Sequence, residues 1–446
     1  MRNRDGSAVV IGASMAGLSA ARVLSDRFGS VTVLDRDTLP DDNTPRRGVP
    51  QGNHGHILLV SGLRELDTLF AGLEDELVTA GGTRFDPGTG LCSFRYGRRW
   101  PIAPTGLELV SMSRPQLEVV VRNRVTKLPG VTIRDRVAVT GLQSADGRVT
   151  GVALDTGETL AAELVVDCSG RGSRSDRWLA DLGFAAAEQV EIKAGVAYST
   201  RTYRRRPGDL PDWQAILTLP TPPEEKMVGL VLPLEGDRWL VGMGGWHVDS
   251  PPADVESFET AVRALPDPAV AELMARAEPL TDPVVHRFPS SRRRLFERLD
   301  APPAGYVALG DAICSFNPIY GQGMTCAAKE AVALGASLDR HQAPTAEMAR
   351  DYYRAAAEVI VTPWQFAVGG DFVYPQTTGP RPRGIKLTNW YARRIGLASQ
   401  VAPDISATFQ SVQQLVTPPE VLFKPGMILR VLRMARRRLS EAAPSR

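Results

Sequence analysis

Three separated clusters of small and acidic residues carry the chemistry of this chain. The first is Gly12-Ala-Ser14-Met15-Ala16-Gly17, which follows the apolar run Ala8-Val-Val-Ile11 and leads into Leu18-Ser-Ala-Ala-Arg-Val-Leu24. A second apolar run, Val31-Thr-Val-Leu34, then ends in Asp35 and Arg36. Glycines at this spacing let a backbone turn pass close to a pyrophosphate at a helix N-terminus, where free amides and the helix dipole favour negative charge. An acid about 20 residues further on accepts from a ribose hydroxyl, and Asp35 lies 23 residues after Gly12. Ser14 stands where the middle glycine is usual, and its hydroxyl is expected to donate to a phosphate instead.

The second cluster, Asp167-Cys-Ser-Gly170-Arg-Gly172, closes the run Leu164-Val-Val166. The third, Gly310-Asp311-Ala-Ile-Cys-Ser-Phe-Asn-Pro318-Ile-Tyr-Gly321-Gln-Gly323-Met324, follows Tyr306-Val-Ala-Leu309. A nicotinamide dehydrogenase needs only the first cluster and a catalytic domain. FAD is threaded along a sheet edge and held at both ends, so three strand-end clusters point to FAD. Asp311 is then placed to accept from ribityl hydroxyls, Pro318 stiffens its loop, and Gly321 and Gly323 let backbone lie against a flat ring. The helix that follows aims its positive end at the anionic reduced ring.

These clusters must be held by a parallel sheet. A helix is expected to begin near His56, with Leu59, Leu63, Leu66 and Phe70 on its apolar face. Another follows Ser113, opened by Arg114, with Leu117, Val120, Val121, Val125 and Leu128 at helical spacing. Short β-branched runs at 131–133, 137–142, 149–154 and 159–161, with turns at Asp146-Gly147 and Thr156-Gly157, read as an antiparallel meander. From 191 to 284 strand-like runs dominate, with one helical segment after Asp254. A helix is expected from Gly323 to Leu338, and the last hundred residues read as helices interrupted by proline-rich stretches. The fold class is α/β: a Rossmann-like FAD-binding domain of the glutathione-reductase type, an inserted β-sheet substrate domain and C-terminal helices. The boundaries are 1–183 and 285–345 for the FAD-binding domain, 184–284 for the substrate domain and 346–446 for the helical region.

A chain of 446 residues is long enough for two or three lobes. With 43% hydrophobic residues and no unbroken apolar run of about 18, no membrane span is expected. A net charge of +2 gives no reason to expect a nucleic-acid partner. Cys92, Cys168, Cys314 and Cys326 form no C-x-x-C pair and no histidine stands at metal-ligand spacing, so neither a metal site nor a disulfide framework is expected, and the compartment reads as reducing cytoplasm. The basic amphipathic stretch Met427–Arg438 is expected to pack on the body rather than touch a membrane. His54 and His56 are candidates for a proton relay or for hydrogen bonding the start of the next helix. Arg46 and Arg47 are candidates for clamping FAD, for steering NAD(P)H phosphates or for a solvated loop face. Trp213, Trp239, Trp246 and Phe288 read as core more than as pocket wall, and Arg292, Arg293 and Arg294 as a solvated or ion-paired surface.

Taken together, Gly12-x-Ser14-x-x-Gly17, the helix-opening Arg114, Val-Val-Asp167-Cys-Ser-Gly-Arg-Gly and Gly-Asp311-Ala through Gly-Gln-Gly-Met324 resemble the single-component FAD-dependent monooxygenases of the aromatic-hydroxylase fold. Arg46-Arg-Gly-Val-Pro-Gln51 with His54 and His56, Tyr198-Ser-Thr-Arg201 and the third cluster are similar to bacterial epoxidases of polyether polyketide pathways, relatives of squalene epoxidase. The resemblance implies that Gly12, Ser14, Ala16 and Gly17, with Met15 among them, lie on the pyrophosphate, Asp35 and Arg36 at the adenosine end, and Arg114 against the phosphates. Arg46 and Gln51 are further cofactor contacts, and Val137 in the meander offers its backbone to adenine. Asp311, Pro318, Gly321, Gly323 and Met324, with Gly310 beside them, hold the ribityl chain and ring. Asp167 falls in an aspartate-glycine motif linked to both FAD and NAD(P)H, although here Asp-Cys-Ser-Gly replaces Asp-Gly.

What the resemblance implies in function is transfer of one oxygen atom from a flavin C4a-hydroperoxide to a carbon–carbon double bond of a lipophilic polyketide or terpenoid. O2 is the cosubstrate, with NAD(P)H or a partner flavin reductase as electron source. No protein acid or base is implied, because an alkene needs no deprotonation. The alternatives are an aromatic hydroxylase, a flavin-dependent reductase of prenyl double bonds, a flavin halogenase and a flavin-binding regulator without turnover. For the halogenase, the usual Trp-x-Trp-x-Ile-Pro segment is lacking, the nearest stretch being Trp213-Gln-Ala-Ile216.

Overall fold

Ala8, Val9, Val10 and Ile11 are all buried, as a strand covered by helices on both faces requires. They belong to Asn3–Ile11, the centre of a five-stranded parallel sheet in a computed structural model that describes residues 3–441. Its order runs Tyr306–Ala308, Leu164–Asp167, Asn3–Ile11, Phe28–Leu34, Val131–Arg134. The register pairs Val10 with Val166 and Val33, so the strands of the first two clusters end side by side. The helix Met15–Ser25 carries the chain from the first strand to its neighbour and packs against the helix Gly323–His341.

Val131–Arg134 differs from expectation: it is the outer strand of the parallel sheet, joined in parallel to Phe28–Leu34. A short β-branched run carries no signal for the direction of its partner. The meander is therefore three strands, Val139–Ala145, Arg148–Leu154 and Thr159–Ala161, and Val137 lies in the crossing before it. The helix expected near His56 begins at Val60, after a short turn at Pro50–Asn53. Two helices rather than one follow Asp254, Val255–Arg263 and Ala269–Met274; Asp254 caps the first by accepting from the Ser257 amide.

The second lobe is a seven-stranded sheet ordered Val284–Phe288, Val196–Arg204, Arg238–Gly245, Met227–Leu234, Ala215–Thr218, Leu91–Arg95, Arg98–Arg99. The pairing of Ala215–Thr218 with Leu91–Arg95 is parallel and the others are antiparallel. This lobe is thus assembled from two stretches of chain, one of them about a hundred residues ahead of the other. Gln189–Ile192 instead joins Ser291–Arg294 and Cys314–Ser315 in a small bridging sheet. Arg294 in that bridge is buried, its guanidinium held by Asp176 and the Ala312 carbonyl, so it is ion-paired in the interior rather than at the surface.

Among the described residues four α-helices follow: Ala346–Asp371, Ile385–Ser399, Pro403–Gln413 and Pro425–Glu441. The last packs on Ile385–Ser399 through Val431 and Ala435, and Arg438 donates from Nε to Gln400 Oε1 at 2.6 Å. Among the described residues no helix is long and apolar enough to cross a membrane.

Candidate active site

A single cavity of about 850 Å³ runs from the ends of the parallel strands, past the Pro318–Gly323 loop, to the face of the seven-stranded sheet. That volume is at the upper end of what small-molecule and cofactor sites occupy. Of the expected contact residues, Gly12, Ser14, Met15, Ala16, Asp35, Arg36, Arg46, Gln51, Arg114, Val137, Asp311, Pro318, Gly321, Gly323 and Met324 line it.

Three expected contacts do not line it, and each has a structural reason. Gly17 is packed under the turn, where a Cβ would sit 1.8 Å from the Gly12 carbonyl oxygen. Gly310 is buried against Ala16 and donates its amide to Glu330 Oε2 at 2.6 Å. Asp167 is fully buried and its acceptor sites are taken by the Ser169 amide and hydroxyl, the Ser173 hydroxyl and Tyr306 Oη. It shapes the turn that follows, and Cys168, Ser169, Gly170 and Gly172 of that turn reach the cavity instead.

At the nucleotide end the strand Asn3–Ile11 breaks at Gly12, whose φ of +104° and 2.5 Å approach to the Cys168 carbonyl admit no side chain. Ser14 occupies the N-cap of Met15–Ser25 but makes no side-chain cap bond, and the first turn holds no acid. The amide end of that helix is therefore left to an anion. The Ser14 hydroxyl is not free for a phosphate: its hydrogen goes to Glu118 Oε1 and it accepts from Arg114 Nη2 at 2.7 Å. Sequence reasoning missed Glu118, although its place one turn after Arg114 is the i,i+4 spacing of a helical ion pair. Burial pushes the Glu118 carboxyl up, but Arg114, Arg46 and the Ser14 hydroxyl together hold it below the usual range.

Asp35 accepts from the Ala13 and Asp37 amides and from Arg46 Nη1, leaving one of its roughly four acceptor positions for a ribose hydroxyl. Arg46 spans Asp35, Asp37 and Glu118, yet its Nη2 is buried without a partner. A buried donor left unmade is costly, and a cofactor oxygen beside the glycine turn would satisfy it. At the other end Gln322 Oε1 is likewise buried without a partner, next to the unfilled N-terminus of Gly323–His341. Half-buried Asp311 stands before that helix, burial pushing its carboxyl up against the opposing pull of Arg114. An orphan donor, an orphan acceptor, two open helix ends and a glycine cradle, all on one cavity, fit a dinucleotide with a flat ring.

The segment after Pro50–Asn53 lies against the ring loop, with the Ile57 carbonyl beside Gly321. His54 is buried; its Nδ1 lies 2.9 Å from Thr200 Oγ1, which is 2.8 Å from the Asn53 carbonyl. Both contacts are satisfied when Thr200 donates to that carbonyl and His54 carries its proton on Nδ1, so Nε2 presents a lone pair. Burial, then the neighbouring His286 and His56, lowers the His54 pKa to about 3, and burial and Arg114 lower that of His56 to about 4. Both imidazoles are neutral near pH 7. His54 bonds to the sheet and not to the next helix, and it packs edge-on against Tyr198 at 4.7 Å between ring centroids.

Beyond the ring loop much of the wall is apolar and aromatic, including Leu217, Leu219, Val228, Trp246, Phe288, Phe366 and Phe409, with Arg95, Arg393 and several amides on the same cavity. Trp246 and Phe288 line this compartment, whereas Trp239 lies in the core of the sheet lobe with Trp213 packed against it. Behind Trp246 sits a group that sequence reasoning missed. Asp371 is fully buried, accepting at Oδ1 from Trp246 Nε1 and Asn317 Nδ2, each at 2.7 Å, and from Tyr320 Oη at 3.4 Å, with Oδ2 unpartnered. Burial, against those hydrogen bonds, raises its pKa to about 6.

Comparison with known proteins bears on this geometry. A family model described as an FAD binding domain matches residues 5–361. Protein Rv3254 of Mycobacterium tuberculosis (strain ATCC 25618 / H37Rv) is 35% identical over 399 residues, covering 85% of this chain and 83% of that protein. Among solved structures, PqsL, a probable FAD-dependent monooxygenase from Pseudomonas aeruginosa, superposes with a TM-score of 0.63 at 18% identity, covering 83% of this chain and 97% of its own. The flavin-dependent brominase Bmp2 gives 0.67 at 15%, covering 98% of each chain. The tetrameric form of 2-methyl-3-hydroxypyridine-5-carboxylic acid oxygenase gives 0.59 at 19%, covering 97% and 98%. At such identities the three structures speak to the fold alone.

Proposed function

This chain belongs to the FAD-binding monooxygenase family, and from that premise we propose that it inserts one oxygen atom of dioxygen into a carbon–carbon double bond of a lipophilic polyketide or terpenoid substrate. The observation that supports the reading is the composition of the outer compartment. Its wall is mainly aliphatic and aromatic, with amides and the two arginines Arg95 and Arg393 at one side, and among the described residues the only carboxylates on the whole cavity are Asp35 and Asp311, at the nucleotide end and before the ring-loop helix. A double bond needs placement and dryness rather than a carboxylate base.

When bound, FAD supplies the activation of dioxygen. The chain supplies position and dielectric. Arg46 Nη2 and the open end of Met15–Ser25 hold the nucleotide, and Gln322 Oε1 with the Gly321 turn seats the ring. Trp246, Phe288 and the leucines of the sheet exclude water and hold the apolar body of the substrate. Electrons come from NAD(P)H in transient contact or from a partner flavin reductase.

A second reading, hydroxylation of an activated aromatic ring, is favoured by His54. Its neutral imidazole with an open Nε2 can accept a hydrogen bond from a phenol hydroxyl and orient that ring, while burial keeps it too weak a base to carry the proton itself. The test is turnover of the FAD-loaded protein under 18O2 with polyene and phenol panels and a supplied reductant. One 18O atom on former alkene carbons is the expected result; one on a phenol ring selects the second reading. Reductant consumption with no labelled product overturns both, and equal turnover without oxygen points to double-bond reduction.

A further inference from the structure

The hairpin Leu91–Arg95 and Arg98–Arg99 carries three arginines, and they are treated differently. Arg98 pairs with Glu441 at 3.1 Å and Arg99 with Asp267 at 2.7 Å. Arg95 lines the cavity, and among the described residues its guanidinium has neither a carboxylate partner nor a hydrogen bond. Its Nε is buried with nothing to donate to, while its Cζ lies 4.8 Å from the centroid of the Tyr96 ring. Arg393, on the helix Ile385–Ser399, also lines the cavity without a carboxylate partner, 5.9 Å from the same ring.

This arrangement is built rather than incidental. Tyr96 takes a left-handed backbone conformation with φ of 51°, uncommon for an aromatic residue. Its ring rests where the helix Ile385–Ser399 has Gly396, at which a Cβ would meet Tyr96 Cε2 at 2.7 Å. The charge of Arg95 reaches the phenols of Tyr320 on the ring loop and Tyr374 behind it. The two guanidiniums therefore lie on the compartment that receives substrate, where no acid balances them.

We propose that Arg95, with Arg393 on the shared Tyr96 ring, anchors a carboxylate of the substrate, so that the substrate is a lipophilic acid whose double bond is presented to the ring loop from that fixed end. The inference rests on the oxygen-insertion reading of the cavity and names the class of molecule it takes. Guanidinium and carboxylate match as fork to fork, and pairing in a partly dry site is strong and directional.

The test is binding, read by perturbation of the flavin absorbance in the FAD-loaded protein. The probes are 2-naphthoate, 6-phenylhexanoate and farnesoate, each beside its methyl ester. Wild type is expected to bind at least one acid about tenfold or more tighter than its ester. In Arg95→Met that ratio falls to near one while ester binding holds, and in Arg95→Lys it is partly restored. A brace for Tyr96 alone would lower Tm in Arg95→Met and leave the ratio untouched, which overturns the proposal. So does a series in which no acid outbinds its ester in wild type. If Arg95→Met keeps the acid preference but loses flavin reduction by NADPH, the guanidinium serves dinucleotide phosphates and the proposal falls. Acid preference retained in a protein that inserts no 18O would instead leave the anchor standing and remove the oxygen-insertion reading.

Discussion

At the scale of single residues, His54 shows how much of the site is set by burial rather than by motif. An unfolded histidine titrates near 6.5, whereas here the pKa is about 3. Below pH 6.5 the unfolded chain thus binds more protons than the native one, so the stabilisation present above that value is lost as pH falls. By pH 5 the loss from this group is about 2 kcal/mol. His54→Asn keeps a donor for Thr200 and cannot titrate, so its stability gap to wild type should close by about 2 kcal/mol between pH 7.5 and pH 5 in urea unfolding. Parallel loss in the two proteins would rule the assignment out. That Gly12, Gly321, Gly323, Asp35, Arg114 and Asp311 share one cavity was legible because their motifs mark strand ends and helix starts at fixed spacings. The Ser14 hydroxyl was misread because its partner, Glu118, lies 104 residues away in sequence. Arg95 carried no signal at all: only the absence of a partner in three dimensions sets it apart from Arg98 and Arg99.

At the scale of elements, Asp371 joins three of them. It ends the helix Ala346–Asp371, and its carboxylate holds Asn317, which caps the Pro318–Tyr320 turn, and Trp246, which follows the strand Arg238–Gly245. The ring loop and the substrate wall are thereby fixed to one another through a single oxygen. Its pKa of about 6 lies above the unfolded value of about 3.9. The native chain therefore binds more protons between those values, and stability is lost as pH rises through 6. Asp371→Asn, which keeps an acceptor for its three donors, should gain on wild type by about 2 kcal/mol between pH 4.5 and pH 7.5. An unchanged difference in Tm across that range would contradict it. An acid in the last turn of a helix opposes the dipole, and that mismatch was the one readable hint. Amphipathic periodicity gave the helices themselves, while the direction of Val131–Arg134 was decided by its partner strand, which no local pattern encodes.

At the scale of the whole molecule, the cavity is shared by the parallel sheet, the seven-stranded sheet and the C-terminal helices, so the cofactor is also a structural tie. Ligand at about a hundred times its Kd adds about 2.7 kcal/mol to stability. Removal of FAD should accordingly lower Tm by about 3 °C, and readdition should restore it in a concentration-dependent way. A melting curve indifferent to FAD would show that the two lobes are held together by protein contacts alone. The α/β class was legible from three strand-end clusters. The contribution of Leu91–Arg99 to the far sheet was not, although Tyr96-Gly97 between two short runs is a hairpin turn.

That borrowed hairpin limits how the architecture can be recombined. A graft that moves residues 184–284 from one relative to another would leave Leu91–Arg99 behind with the donor. The transplanted edge strand Ala215–Thr218 would then have to pair with the recipient's own hairpin, and a mismatch there would leave an open edge that invites pairing between copies. The anion-holding guanidinium at position 95 would stay with the recipient, so such a hybrid would inherit its apolar wall from one parent and its charge selectivity from the other.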